Sequence, residues 1–129
     1  MKYYCAIDNG ASGSVCILDE DGKLIHYGPT PVFKSLNYTK VVGYSTRVNT
    51  EVLKGILAPF ADSATLIIER PMINPLRWVA TVSAIRCDEA TRVVLELLKI
   101  KFRYVDSKEW QEKMLPKRKP VPKLKKEAT

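Results

Sequence analysis

Two short apolar runs in this chain each stop on an acid. Tyr3-Tyr4-Cys5-Ala6-Ile7 leads into Asp8, and Ala64-Thr65-Leu66-Ile67-Ile68 leads into Glu69. Runs of aromatic and β-branched residues without a breaker read as buried strands, so each acid is expected at the carboxyl end of a strand. In an open α/β sheet that edge is where sites form. Asp8 alone fits more than one role. Asp before Asn-Gly is ordinary turn chemistry, and the small residues from Asn9 to Ser14 would also suit a phosphate cradle. Glu69 is a poorer turn residue, and Arg70-Pro71 breaks the chain directly after it. If the two strands are parallel neighbours, the carboxylates converge, and converging carboxylates repel unless a cation compensates. An oxygen-only site suits Mg²⁺, with Mn²⁺ as the alternative. Two such ions about 3.5–4 Å apart are an established means of phosphodiester hydrolysis.

The remaining pattern places these strands in a sheet. Ser14 to Leu18 is another apolar run, close enough to the first for an antiparallel hairpin. Asp19-Glu20-Asp21-Gly22 reads as a turn, and Leu24-Ile25-His26-Tyr27 as a third strand. Gly28 to Tyr44 shows no clear period and is expected to be irregular. Asn49-Thr50 can cap a helix carrying Val52, Leu53, Ile56 and Leu57 at amphipathic spacing. From Leu76 to Ile100 the spacing predicts a long helix with Ala80, Ala84, Cys87, Thr91, Val94 and Leu98 on one face. Arg86, Asp88, Glu89, Arg92, Glu96 and Lys99 are expected on its solvated side. Lys101 to Val105 reads as a fifth strand. A short helix capped by Ser107 and the beginning of another at Leu124 to Thr129 complete the order β-β-β-α-β-α-β-α. Three antiparallel strands followed by helix-linked strands imply an α/β fold with a mixed sheet flanked by helices.

Length and charge narrow the function. At 129 residues the chain is expected to form one domain. Cys5, Cys16 and Cys87 lie apart among apolar neighbours with no CxxC pair, so buried thiols in a reducing, cytoplasmic setting are expected rather than zinc ligands. No membrane span or signal peptide is visible. The net charge is +7, and the excess is uneven. Lys117, Arg118, Lys119, Lys123, Lys125 and Lys126 crowd a Pro-rich stretch over 116–126, which suits a polyanion and most simply nucleic acid.

The stretches "AIDNGASGSVCILDEDG" and "LIIERPMINP" resemble the RuvC-type Holliday junction resolvases of the RNase H-like superfamily, and most of all their phage and prophage branch. "YVDSKEWQEKML" resembles that family's fifth strand and the stretch after it. The resemblance implies an RNase H-like mixed five-stranded sheet and a Mg²⁺-dependent endonuclease. Such an enzyme would act as a homodimer on branched DNA in a bacterial or phage-infected cell. It makes Asp8 and Glu69 the catalytic metal ligands. Met72 then stands where the family inserts a side chain at the junction, and apolar wedges of that kind unstack DNA. Arg70, Arg77 and the basic run would meet phosphates, each contact adding salt-sensitive affinity. The family completes its site with two carboxylates on a late helix in a D-x-x-D-like arrangement. Asp106, Glu109, Glu112 and Glu127 do not form that pattern, so the chain is expected to lack the C-terminal helix or half of the metal site. Two alternatives stand beside the nuclease: a non-catalytic, structure-selective nucleic-acid-binding module, and a lobe of an actin-like ATPase or kinase, whose first loop also reads Asp-x-Gly.

Overall fold

A computed structural model of the chain describes residues 1–37 and 43–106. Strands β1 (Tyr3–Asp8), β2 (Ser14–Asp19) and β3 (Leu24–Pro29) form an antiparallel meander. The chain continues through β4 (Val32–Asn37), β5 (Gly43–Val48), α1 (Thr50–Leu57), a 3₁₀ turn at Ala58–Phe60 and β6 (Ala64–Glu69). Helix α2 (Trp78–Leu97) and β7 (Lys101–Val105) follow. The main sheet has the order β3-β2-β1-β6-β7, with β6 parallel to both β1 and β7. This is the mixed five-stranded sheet expected from the apolar runs.

Alternation sets the two faces of the sheet. Cys5 and Ile7, Val15 and Ile17, and Leu66 and Ile68 are buried, while their neighbours in sequence are more open. They form one core with Leu53 and Leu57 of α1 and Cys87, Val94 and Leu95 of α2. Successive strand residues point to opposite faces, so Asp8 and Glu69 leave the sheet on the side away from this core. Asn49 caps α1 as its spacing predicts, its Oδ1 accepting from the Val52 N–H at 3.2 Å. Asp19 closes the β2–β3 turn. Its Oδ1 accepts from the amides of Asp21 and Lys23, both at 2.9 Å.

Three expectations need correction. The stretch over 28–44, which lacks a period, contains β4 and the start of β5, which pair as a separate two-stranded ribbon. Its periodicity is weak because the ribbon buries neither face fully: Val32, Phe33, Leu36 and Tyr44 are all exposed. Helix α2 begins at Trp78 rather than Leu76. The Leu76 N–H is taken by Asn74 Oδ1 at 3.0 Å, and Asn74 is itself tied to Thr81 Oγ1 through its own N–H and carbonyl. That tie draws Thr81 inward, so Thr81 is buried and Ala80 exposed, the reverse of the apolar stripe. The helix ends at Leu97 because Lys99 turns left-handed (φ 56°). The amides of Lys99 and Ile100 return to the carbonyls of Glu96 and Leu95, at 3.1 and 3.0 Å, in a Schellman stop. The helices expected after Ser107 lie outside the described residues.

Candidate active site

The β1–β6 register determines where the two acids meet. Tyr3 pairs with Ala64 and Ile7 with Ile68, so Asp8 and Glu69 occupy the next positions on adjacent parallel strands. The two carboxyls influence one another, and the Glu69 carboxyl responds. Its pKa is raised from 4.5 to about 7, first by partial burial, then by the hydrogen bond to Asp8 and by that residue's like charge. Nearby carboxyls in a partly desolvated setting share a proton because ionising both is costly.

The β1–β2 turn holds Asp8 by backbone geometry. A side chain on Gly13 would drive its Cβ into the Asp8 carbonyl, so only glycine permits this approach. Gly10 supplies the left-handed residue of the turn (φ 123°), and its carbonyl accepts from the Gly13 N–H at 3.1 Å. The Gly13 carbonyl accepts from the Thr30 N–H at 2.9 Å. With Gly13 engaged on both sides, the turn serves to pack against Asp8 rather than to offer this amide to a phosphate.

On the helical face a second device acts on the same strand end. Asn9 points inward where Asp8 points outward, and its Nδ2 donates to Asp88 Oδ1 at 3.1 Å. The Tyr104 hydroxyl of β7 donates to the same carboxylate, 2.9 and 3.0 Å from its two oxygens. Burial foremost, and then the bond to Asp88, push the Tyr104 hydroxyl up to about 12, so it remains a neutral donor. Spacing puts Asp88 on the solvated side of the helix, but it is half-buried and hydrogen-bonded, whereas Glu89 is exposed as expected. The pattern misleads because Asp88 adjoins Cys87 at the edge of the apolar stripe. An acid beside a buried residue, facing the end of a neighbouring strand, is the signal that could have found it.

The other residues expected to bind DNA are distributed differently. Arg70 pairs with Asp106 (3.0 Å) and its guanidinium lies 5.6 Å above the Tyr104 ring. Arg77 is exposed at the start of α2, and Met72 is 77% exposed in the loop after Glu69. Lys117, Arg118, Lys119, Lys123, Lys125 and Lys126 lie outside the described residues. Among the described residues no set of three His, Cys, Asp or Glu side chains converges. Two carboxylates do fit one Mg²⁺, a hard ion bound through one or two carboxylates with water and phosphate oxygens completing its shell. No helix among the described residues is long and apolar enough to cross a membrane.

No protein-family profile matches the chain, and no curated protein sequence matches it. Solved structures do. The chain is similar to Thermus thermophilus RuvC in complex with Holliday junction substrate, with a TM-score of 0.56 at 9% identity over 83% of this chain. It spans 64% of the length of that RuvC chain. A second Thermus thermophilus RuvC structure gives a TM-score of 0.47 at 7% identity, covering 85% of this chain and 67% of the other. Identity this low speaks to architecture alone, and the antiparallel-then-parallel sheet agrees with it: the chain has a RuvC-like, RNase H-like fold.

Proposed function

We propose that this chain is the RNase H-like domain of a metal-dependent endonuclease that hydrolyses phosphodiesters in branched DNA. The observation that carries the proposal is the pairing of Asp8 and Glu69 at adjacent strand ends, with Glu69 raised to about 7 by burial and by Asp8. A carboxyl pair that resists double ionisation gains most from a cation. The RuvC of similar fold is in complex with a Holliday junction, and a net charge of +7 favours a polyanionic substrate.

Asp8 and Glu69 would hold Mg²⁺, or Mn²⁺ in its place. The ion would supply positive charge at the phosphate oxygens and a more acidic bound water. The chain's own residues orient and bind. Gly13 and the Asn9–Asp88–Tyr104 bonds fix the backbone that presents Asp8. Before the ion binds, burial and Asp8 favour a protonated Glu69 up to about pH 7, and binding the ion would release that proton. Met72 and Arg77, both exposed, would meet the junction and its phosphates, with the basic run over 116–126 adding further phosphate contacts. The motifs it has in common with the phage and prophage branch support membership there and action as a cytoplasmic homodimer.

The test is cleavage of a synthetic four-way junction. The full chain with Mg²⁺ should give nicked products, and Asp8→Asn or Glu69→Gln should abolish them. Unchanged cleavage by Asp8→Asn would refute the site. A second reading, a non-catalytic junction-binding module, is favoured by the count of two converging carboxylates among the described residues. It predicts salt-sensitive junction binding with no metal-dependent product.

A further inference from the structure

The β4–β5 ribbon has no part in the main sheet, yet β5 lies against α2 and two grooves open between them. One, of about 510 Å³, is lined by Tyr44 and Thr46 of the ribbon and by Trp78, Val82 and Arg86 of the helix. It reaches Ala11, in the turn that follows Asp8. The other, of about 830 Å³, continues along the ribbon past Phe33 and Arg47 toward Glu89. Ser45 and Arg86 line both, so the two grooves adjoin.

The grooves combine aromatic, guanidinium and hydroxyl side chains. Tyr44 is 69% exposed and Trp78 70% exposed, so two aromatic rings stand open at the end nearest Asp8. Arg86 lines both grooves and Arg47 the second, with Glu89 the one acid among their described lining residues. The Arg47 guanidinium already lies 5.7 Å above the Phe33 ring, forming a flat cationic platform across the ribbon. Ser35, Ser45, Thr46, Thr50 and Ser83 also line the grooves. Exposed aromatic faces alternating with guanidinium groups and hydroxyls are the means by which proteins take an unpaired strand, bases on the rings and phosphates on the arginines.

We infer that the groove between the β4–β5 ribbon and α2 binds an unpaired DNA strand, leading it past the β1–β2 turn toward Asp8. Bases stack on Tyr44 and Trp78, and Arg86, which lines the same groove, meets the phosphate between them. The inference rests on the endonuclease reading and deepens it: the preferred substrate carries an unpaired strand at the branch. Charge decides the occupant, since a second copy of a chain with net charge +7 would bring its own arginines to this groove.

The experiment uses the full chain with Trp110→Phe, which leaves Trp78 as the single tryptophan of the original two. Oligo(dT) titrated at low salt should quench Trp78 emission saturably, and added salt should reverse the quenching. Tyr44→Ala should weaken this binding by roughly five- to a hundredfold and Tyr44→Phe should restore it, because the ring and not the hydroxyl stacks. Arg86→Gln should reduce the salt dependence. Absence of quenching at low salt would overturn the inference. So would a Trp78 emission shift that follows protein concentration without DNA and coincides with dimerisation in sedimentation, which would assign the face to a second copy. Asp8→Asn separates this inference from the endonuclease reading: it should keep the quenching while losing cleavage. If Tyr44→Ala and Arg86→Gln cleaved and bound forked DNA as the unmodified chain does, the groove assignment would fail while the nuclease reading stood.

Discussion

Neutralising Glu69 should make the metal-free protein more stable, an unusual expectation for removing a charge from a candidate active site. In the folded chain the Glu69 carboxyl titrates near 7 instead of the ordinary 4.5, mainly from burial and then from Asp8. Between those two values the folded state binds more protons than the unfolded state. Stability therefore falls as pH rises through that window, and the deficit is complete above the folded value. The displacement corresponds to about 3 kcal/mol at full strength. Glu69 is half-buried, so solvent screening reduces this to roughly 1–2 kcal/mol. Glu69→Gln should recover that amount at pH 8 in EDTA, about 5 °C in Tm for a domain of this size, because a Gln amide can donate to Asp8. At pH 4.5 the advantage should vanish. Urea denaturation at the two pH values measures both, and a Mg²⁺ titration at pH 8 should stabilise the unmodified protein but not the variant. A Glu69→Gln protein no more stable than the parent at pH 8 in EDTA would refute the reasoning.

Other substitutions probe the supports of the site and the core. Gly13→Ala forces a Cβ against the Asp8 carbonyl, so it should cost about 1–3 kcal/mol in urea denaturation and depress junction cleavage together. Asp88→Asn removes the negative partner of the Tyr104 hydroxyl; absorbance titration at high pH should show that hydroxyl ionising below its present value of about 12, with the share due to burial remaining. Leu57→Ala empties a fully buried position between α1 and the sheet, and should cost about 2–5 kcal/mol while leaving the Asp8–Glu69 pairing unchanged, as the pH dependence of stability would report.

What could be read from the sequence follows from how burial imprints itself. Buried central strands such as β1 and β6 must be apolar and unbroken, so their ends, and the acids on those ends, are legible from residues 3–8 and 64–69 alone. That Asp8 and Glu69 meet requires only that the two strands be parallel neighbours. The ribbon leaves no such imprint: Phe33 and Leu36 lie on different faces of β4 and both are exposed, so neither period nor burial marks it. Thr81 is hidden for a different reason. It is buried through its hydroxyl, which bonds the Asn74 backbone, and a polar residue satisfied by a loop does not register in an apolar stripe. Asp88 depends on partners distant in sequence, Asn9 and Tyr104, and no local pattern contains such a contact.

These partners also account for how two carboxylates can be kept together without a cation. Like charges at a strand end would ordinarily be relieved by a small rotation of the backbone, since the ends of strands are only half restrained. Here β1 is held on both sides, by β2 with Asp8 opposite Ser14 and by β6 along its length. Gly13 packs against the Asp8 carbonyl, and Asn9 is drawn down onto α2 by Asp88. The Glu69 end is extended by the Arg70 N–H donating to the Val105 carbonyl at 2.9 Å, and Arg70 then pairs with Asp106. Tyr104 joins the two halves: its hydroxyl serves Asp88 below Asp8, and its ring underlies the Arg70 guanidinium that follows Glu69. A frame tied in this way resists the relaxation that would separate the acids, so the Glu69 pKa stays raised, by burial first and then by Asp8, instead of being relieved by movement. Preorganisation of this kind is what a site for a doubly charged ion requires, because the ion then binds without the cost of assembling its ligands.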